Sequence, residues 1–157
     1  MKKLRLYHWS VIAFFLVLPV CAVTAEILLT HSTFAGAALR WFVFFAVGCR
    51  LLTAGVAQVI RPSFTAERIF GIRDQKAYGL VRELGFGNSC FGLLGILSLP
   101  FSSLRYAASL VGGLYFLMAG IMHVLRYEKN TDERFAMITD LYAFGVIAAL
   151  SAVCVTS

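Results

Sequence analysis

Asp140, His123, Asn88, Glu83 and Arg50 are residue types suited to chemistry, and each stands inside or at the edge of a hydrophobic run. A charged group in such a run has few water partners. It is costly unless paired, and in membranes such groups mark ligand and ion pathways. Placed along helices, Gln58, Arg82, Glu83, Asn88, His123, Thr139 and Asp140 fall at one depth in four segments. Arg50 lies deeper, roughly 15 Å from the helix end at Arg61 for a rise of about 1.5 Å per residue. Its long side chain can extend towards Glu83 or Asp140.

A histidine between two carboxylates can relay a proton or orient the polar head of a lipid-like ligand. The expected site is therefore Glu83, His123 and Asp140, with Asn88 and Arg50 setting orientation and charge, and Gln58, Arg82 and Thr139 beside them. Plainer roles stand next to these. Arg82 and Glu83 suit an interface, Glu83 also complementing a helix amino-terminal dipole. Asn88 can bond helix to helix, and His123 can satisfy the carbonyls that end its own helix. Asp140 is the least comfortable as scaffold.

The elements that carry these residues follow from composition. Of 157 residues, 60% are hydrophobic and 14% charged, with a mean hydropathy of +0.82, against about 25% charged in soluble domains. Five continuous apolar runs, over 9–29, 39–60, 80–99, 106–125 and 136–155, match the roughly 20 residues that a helix needs to cross a bilayer. Continuous runs exclude the alternating pattern of a membrane barrel. The fold class is all-α, a single-domain bundle of five transmembrane helices over 1–157.

Lys2, Lys3 and Arg5, then Arg61, Arg68, Arg73 and Lys76, then Arg126, Lys129 and Arg134 collect at one end of the bundle, against Arg40 and Arg105 at the other. The positive-inside rule then places the amino terminus in the cytoplasm and the carboxyl terminus outside, as in a multi-pass protein of the bacterial inner membrane. This distribution also explains the formal net charge of +6 without nucleic acid. "CAVTAE" would allow signal-peptide cleavage after Ala25, but the apolar run continues through Leu29, which favours an anchor.

Within the runs, Tyr7 and Trp9 suit the interface and Pro19 predicts a kink. Ala46, Ala54 and Ala57 give Arg50 a narrow face. Pro62 ends the second helix, and 63–72 is expected to form a short interfacial helix, capped by Ser63 or Thr65, with Phe64, Ile69, Phe70 and Ile72 on its apolar side; an ordered loop is the alternative. Gly85, Asn88, Gly92 and Gly95 form a stripe that lets another helix approach. Glu83, Gly87, Cys90 and Leu94 form a second stripe opposite, which predicts that the third helix is central. Gly113, Phe116, Gly120 and His123 share a face of the fourth, and Glu26 is expected to reach water near the outer surface.

Cofactor signatures are sparse. Cys21, Cys49, Cys90 and Cys154 stand singly on different spans, so no metal or redox dithiol is expected. One intramembrane histidine does not supply the pair that a b-type haem wants, unless a homodimer provides it. Walker, dinucleotide and HExxH patterns are absent. No cofactor is predicted, and a lipid-like ligand is what the polar cluster suits.

"AERIFGI", "RELGFGNSCFGLLGI", "GLYFLMAGIMHV" and "ITDLY", between Ala66 and Tyr142, resemble an uncharacterised family of small prokaryotic integral membrane proteins. More distantly, the layout is similar to the DoxX-like group, some members of which are linked to quinone oxidoreductases. The resemblance implies a five-helix bundle and points to Glu83, Asn88, His123 and Asp140. Ile72 stands where that pattern has tryptophan, and Gln58 near where it often has histidine. The function expected is a non-enzymatic or accessory membrane protein that binds a small lipid-like ligand, a quinone or a partner subunit. A membrane oxidoreductase component, a proton-coupled carrier and a purely structural assembly subunit are the alternatives.

Overall fold

The computed structural model describes residues 6–156, which form helices and connecting turns with no strand among them. Lys2, Lys3 and Arg5 lie outside the described residues. Five helices are each long and apolar enough to cross a membrane: α1 Leu6–Thr30, α2 Phe34–Ile60, α3 Ala77–Leu97, α4 Arg105–Leu125 and α5 Thr131–Thr156. A 3-10 turn, Ser102–Leu104, leads into α4. The helices start before the predicted apolar runs, because a helix can continue past the hydrocarbon into the polar interface. At α5, Asn130 Oδ1 accepts the Glu133 backbone N–H at 2.9 Å, so the helix begins at Thr131 rather than 136.

Two helices contain π-helical stretches. In α1 it covers Ala13–Val17, just before Pro19, where the predicted kink was placed. Proline removes an N–H and crowds the preceding turn, so widening that turn relieves both faults. In α2 it covers Val43–Cys49 and delivers the chain to Arg50, whose N–H bonds to Phe45 and Val47 carbonyls. The added residue rotates everything after it relative to an ideal helix. Ala57 is exposed while Ala46 is fully buried, and the closest approach to a neighbouring helix is made at Gly48 and Gly55.

The predicted glycine stripe of α3 is buried and faces α2. A methyl group added to Gly95 would stand 2.6 Å from Gly48 Cα, and one on Gly92 2.7 Å from Leu52 Cα. Backbones this close tolerate no side chain. Of the opposite stripe, Leu94 packs against the main core but Glu83 and Cys90 are exposed, so α3 is not enclosed on both sides. The central helix is α2, which supplies Leu39, Phe42, Val43, Ala46, Val47 and Leu51 to the main core. Around it are Val11 and Phe15 of α1, Ala108 and Phe116 of α4, and Ala143 and Ile147 of α5. Gly112 admits Val47, and Gly120 admits Leu141.

After α2 ends at Ile60, before Pro62, a π-helical turn over Phe64–Ile69 replaces the expected longer helix, and neither Ser63 nor Thr65 caps it by a side-chain bond. Ala66 and Ile69 face the bundle and the Phe64 ring meets that of Tyr7 at 5.8 Å between centroids, whereas Ile72 is exposed, so the apolar side is split. Glu26 also departs from expectation. It is buried, bonded to Arg40 Nη1 and Trp41 Nε1, each at 2.7 Å.

Candidate functional site

The site is built where the basic end of the bundle meets its interior. His123 lies in the last turn of α4, buried at 9% exposure. Its Nδ1 is 3.1 Å from Glu133 Oε1, and its Nε2 is 4.0 Å from Asp140 Oδ2. Glu133 and Asp140 are seven residues apart on α5, two turns along one face. The imidazole therefore bridges a carboxylate near the helix end and one deeper in the bundle. Arg126 Nη1 reaches the same Glu133 oxygen at 3.1 Å while its guanidinium covers the Phe70 ring at 5.4 Å. Asn130 Nδ2 donates to the carbonyls of Arg68 and Ile69, tying the two basic loops together above the site.

Deeper in, Asp140 is within electrostatic range of Arg50. Arg50 lies over the Tyr7 ring at 5.6 Å. Tyr115 lies beside Asn88, in the neighbourhood of Asp140 and Arg50. Asn88, 2% exposed, donates from Nδ2 to Gln58 Oε1 at 2.7 Å, a bond between α3 and α2. Two atoms of this layer are buried without a hydrogen-bond partner among the described residues: Asn88 Oδ1 and Arg50 Nε. All five helices thus contribute a polar side chain to one layer, which runs from Glu133 at the basic end to Arg50 in the interior.

A family model matches residues 8–155, from the start of α1 to the end of α5. The chain belongs to DUF6790, a family of unknown function. No curated protein and no solved structure matches the chain. The family match thus extends over nearly the whole helical region and over every residue of the polar layer except Tyr7.

Of the residues expected from sequence, the fold brings together Arg50, Gln58, Asn88, His123 and Asp140. Arg82 and Glu83 are exposed on the outer side of α3, so Glu83 does not face a neighbouring helix. Thr139 bonds back to the carbonyls of Phe135 and Ala136 in its own helix. The acid paired with His123 is instead Glu133, 2% exposed. The sequence holds two signals for it: the Asn130-x-x-Glu133 spacing of a helix start and the two-turn interval to Asp140. Tyr7 and Tyr115 carry no comparable signal, since tyrosine is common in apolar segments.

Among the described residues, no three His, Cys, Asp or Glu side chains converge as a metal requires. The four cysteines are free. What the layer offers is donors from arginine and tyrosine, an open amide oxygen, and a histidine-carboxylate bridge that can hold or pass a proton.

Proposed function

We propose that this DUF6790 protein is a ligand-binding membrane protein whose interior polar layer takes the polar head of a small lipid-like molecule, with quinones as the leading class. The unpartnered Asn88 Oδ1 carries the reading. A polar atom buried without a bond costs about 1–3 kcal/mol, and a layer serving only to lock helices together gains nothing by leaving one open. A quinone or ester carbonyl beside Arg50 and Tyr115 would gain donors, and a hydroxyl would gain Asn88 Oδ1 as acceptor.

The test is extraction. Protein purified in mild detergent is expected to carry a stoichiometric lipid or quinone, identified by mass spectrometry, that is lost in Asn88→Leu while the helical content is kept. Wild-type protein free of any such molecule would refute the reading.

One observation favours a second reading, proton handling. His123 stands 3.1 Å from Glu133 and 4.0 Å from Asp140, a chain from the basic end inwards. Coupled to a quinone, it would make the protein a component of a membrane oxidoreductase, in keeping with the DoxX-like resemblance; coupled to solute movement, a carrier. We further propose that the basic end faces the cytoplasm of a bacterium and that the protein resides in its inner membrane, because basic loops are retained on that side.

A further inference from the structure

The connection from α2 to α3 lies across the mouth of the polar layer at the basic end. The Phe64 ring stands 5.8 Å from that of Tyr7, on α1, and the Phe70 ring 6.4 Å from that of His123, on α4. One short segment thus roofs two members of the layer that come from different helices. Thr65, Ala66 and Ile69 of the segment are buried. Below it, His123 and Glu133 are 9% and 2% exposed, although they stand in the last turn of α4 and the first turn of α5.

A closed circuit of contacts holds the segment down. The Arg126 guanidinium lies over the Phe70 ring at 5.4 Å, and its Nη1 reaches Glu133 Oε1 at 3.1 Å. The Glu133 N–H donates to Asn130 Oδ1 at 2.9 Å. Asn130 Nδ2 returns to the segment, donating to the carbonyls of Arg68 and Ile69 at 2.9 and 3.3 Å. The links that touch the segment itself are therefore a cation–π contact and hydrogen bonds between neutral groups, neither strong alone. On the outer side, Tyr78 donates its hydroxyl to Glu67 Oε1 at 2.6 Å, an exposed bond to the first turn of α3. Between these attachments the chain is exposed from 71 to 76, and Gly71 takes φ +69°, a left-handed value that glycine adopts without strain. A segment with weak attachments beside an exposed turn opens locally before the rest of a fold does.

We propose that residues 64–70 form a lid on the polar layer, latched by Asn130 and Arg126 and hinged at Gly71. Closed, it keeps water from the His123–Glu133 bridge; open, it admits the polar head of a ligand, or a proton, from the basic end. The lid rests on the reading of the layer as a ligand site, but its test needs no ligand.

Ala136 supplies the reporter. It is 7% exposed and lies on α5 three residues after Glu133 and four before Asp140, hence on their face. Ala136→Cys is placed in the full chain with the four native cysteines replaced by alanine. The purified protein is treated with a charged methanethiosulfonate, and the labelling rate is followed by mass spectrometry. With the lid closed, the rate is expected to fall well below that of Tyr127→Cys, at a position 99% exposed. Asn130→Asp keeps the oxygen that caps α5 and removes the donor to the lid, whereas Phe70→Ala removes the ring under Arg126. Each is expected to raise the Ala136→Cys rate about tenfold, because losing one such contact enlarges the open population. Ser109→Cys, 3% exposed near the far end of α4, is expected to label no faster in either background.

Either lid variant decides the matter alone if the other does not fold. An Ala136→Cys rate equal to that of Tyr127→Cys, or lid variants that label as their parent does, overturns the lid. A rise shared by Ser109→Cys overturns it too, since the whole bundle has then loosened. Lid variants that open a chain carrying no lipid or quinone keep the lid and remove the proposed ligand; a chain that carries one, with variants that label as their parent does, keeps the ligand and removes the lid.

Discussion

Glu133 and Glu83 are a controlled pair of carboxylates. Glu133 accepts from Arg126 and meets His123, and it is nearly inaccessible; Glu83 is exposed on α3. Glu133→Leu leaves a buried imidazole and a guanidinium without their shared acceptor, with an expected loss of roughly 1–3 kcal/mol. Glu83→Leu is expected to stay within about 0.5 kcal/mol of wild type. Thermal unfolding in detergent measures both, and equal losses would mean that the Glu133 bridge contributes little. Asn88, His123 and Asp140 were legible in the sequence because a polar residue in an apolar run stands out. Glu133 was not, because the apolar run of span five starts after it, which assigns it to the loop. Only the capped start at Asn130 shows that the helix already includes it.

At the level of helices, the α2–α3 seam makes a sharper prediction than hydropathy could. Gly95→Ala would push a methyl group to 2.6 Å from Gly48 Cα, and no rotamer change moves a backbone aside. It is expected to lower the yield of folded protein several-fold, measured by size-exclusion chromatography after membrane extraction. Gly87→Ala lies in the same helix with nothing within 4 Å of the added carbon, so it is expected to stabilise by about 0.5–1 kcal/mol, the helix-interior advantage of alanine. The number of spans and the Gly85, Gly92, Gly95 face could be read from sequence. That α2, not α3, is central could not, since lipid-facing and core-facing side chains of a membrane helix are equally apolar. The register of α2 was hidden for another reason: the π-helical Val43–Cys49 stretch breaks the 3.6-residue period on which face assignments rest.

For the whole molecule, the decisive question is which compartment the polar layer faces. Arg61, Arg68, Arg73 and Lys76 in one connection and Arg126, Lys129 and Arg134 around the other lie at the end where Glu133 and Arg126 meet His123. If basic loops stay inside, protons and ligand heads reach the layer from the cytoplasm. Substituted-cysteine labelling tests this with the native cysteines replaced by alanine. Tyr127→Cys, in the α4–α5 connection at a position 99% exposed, is expected to react with a membrane-impermeant maleimide only after cells are opened; Phe101→Cys, 56% exposed between α3 and α4, is expected to react in intact cells. The opposite pattern would invert the bundle. His123 would then exchange protons with the exterior.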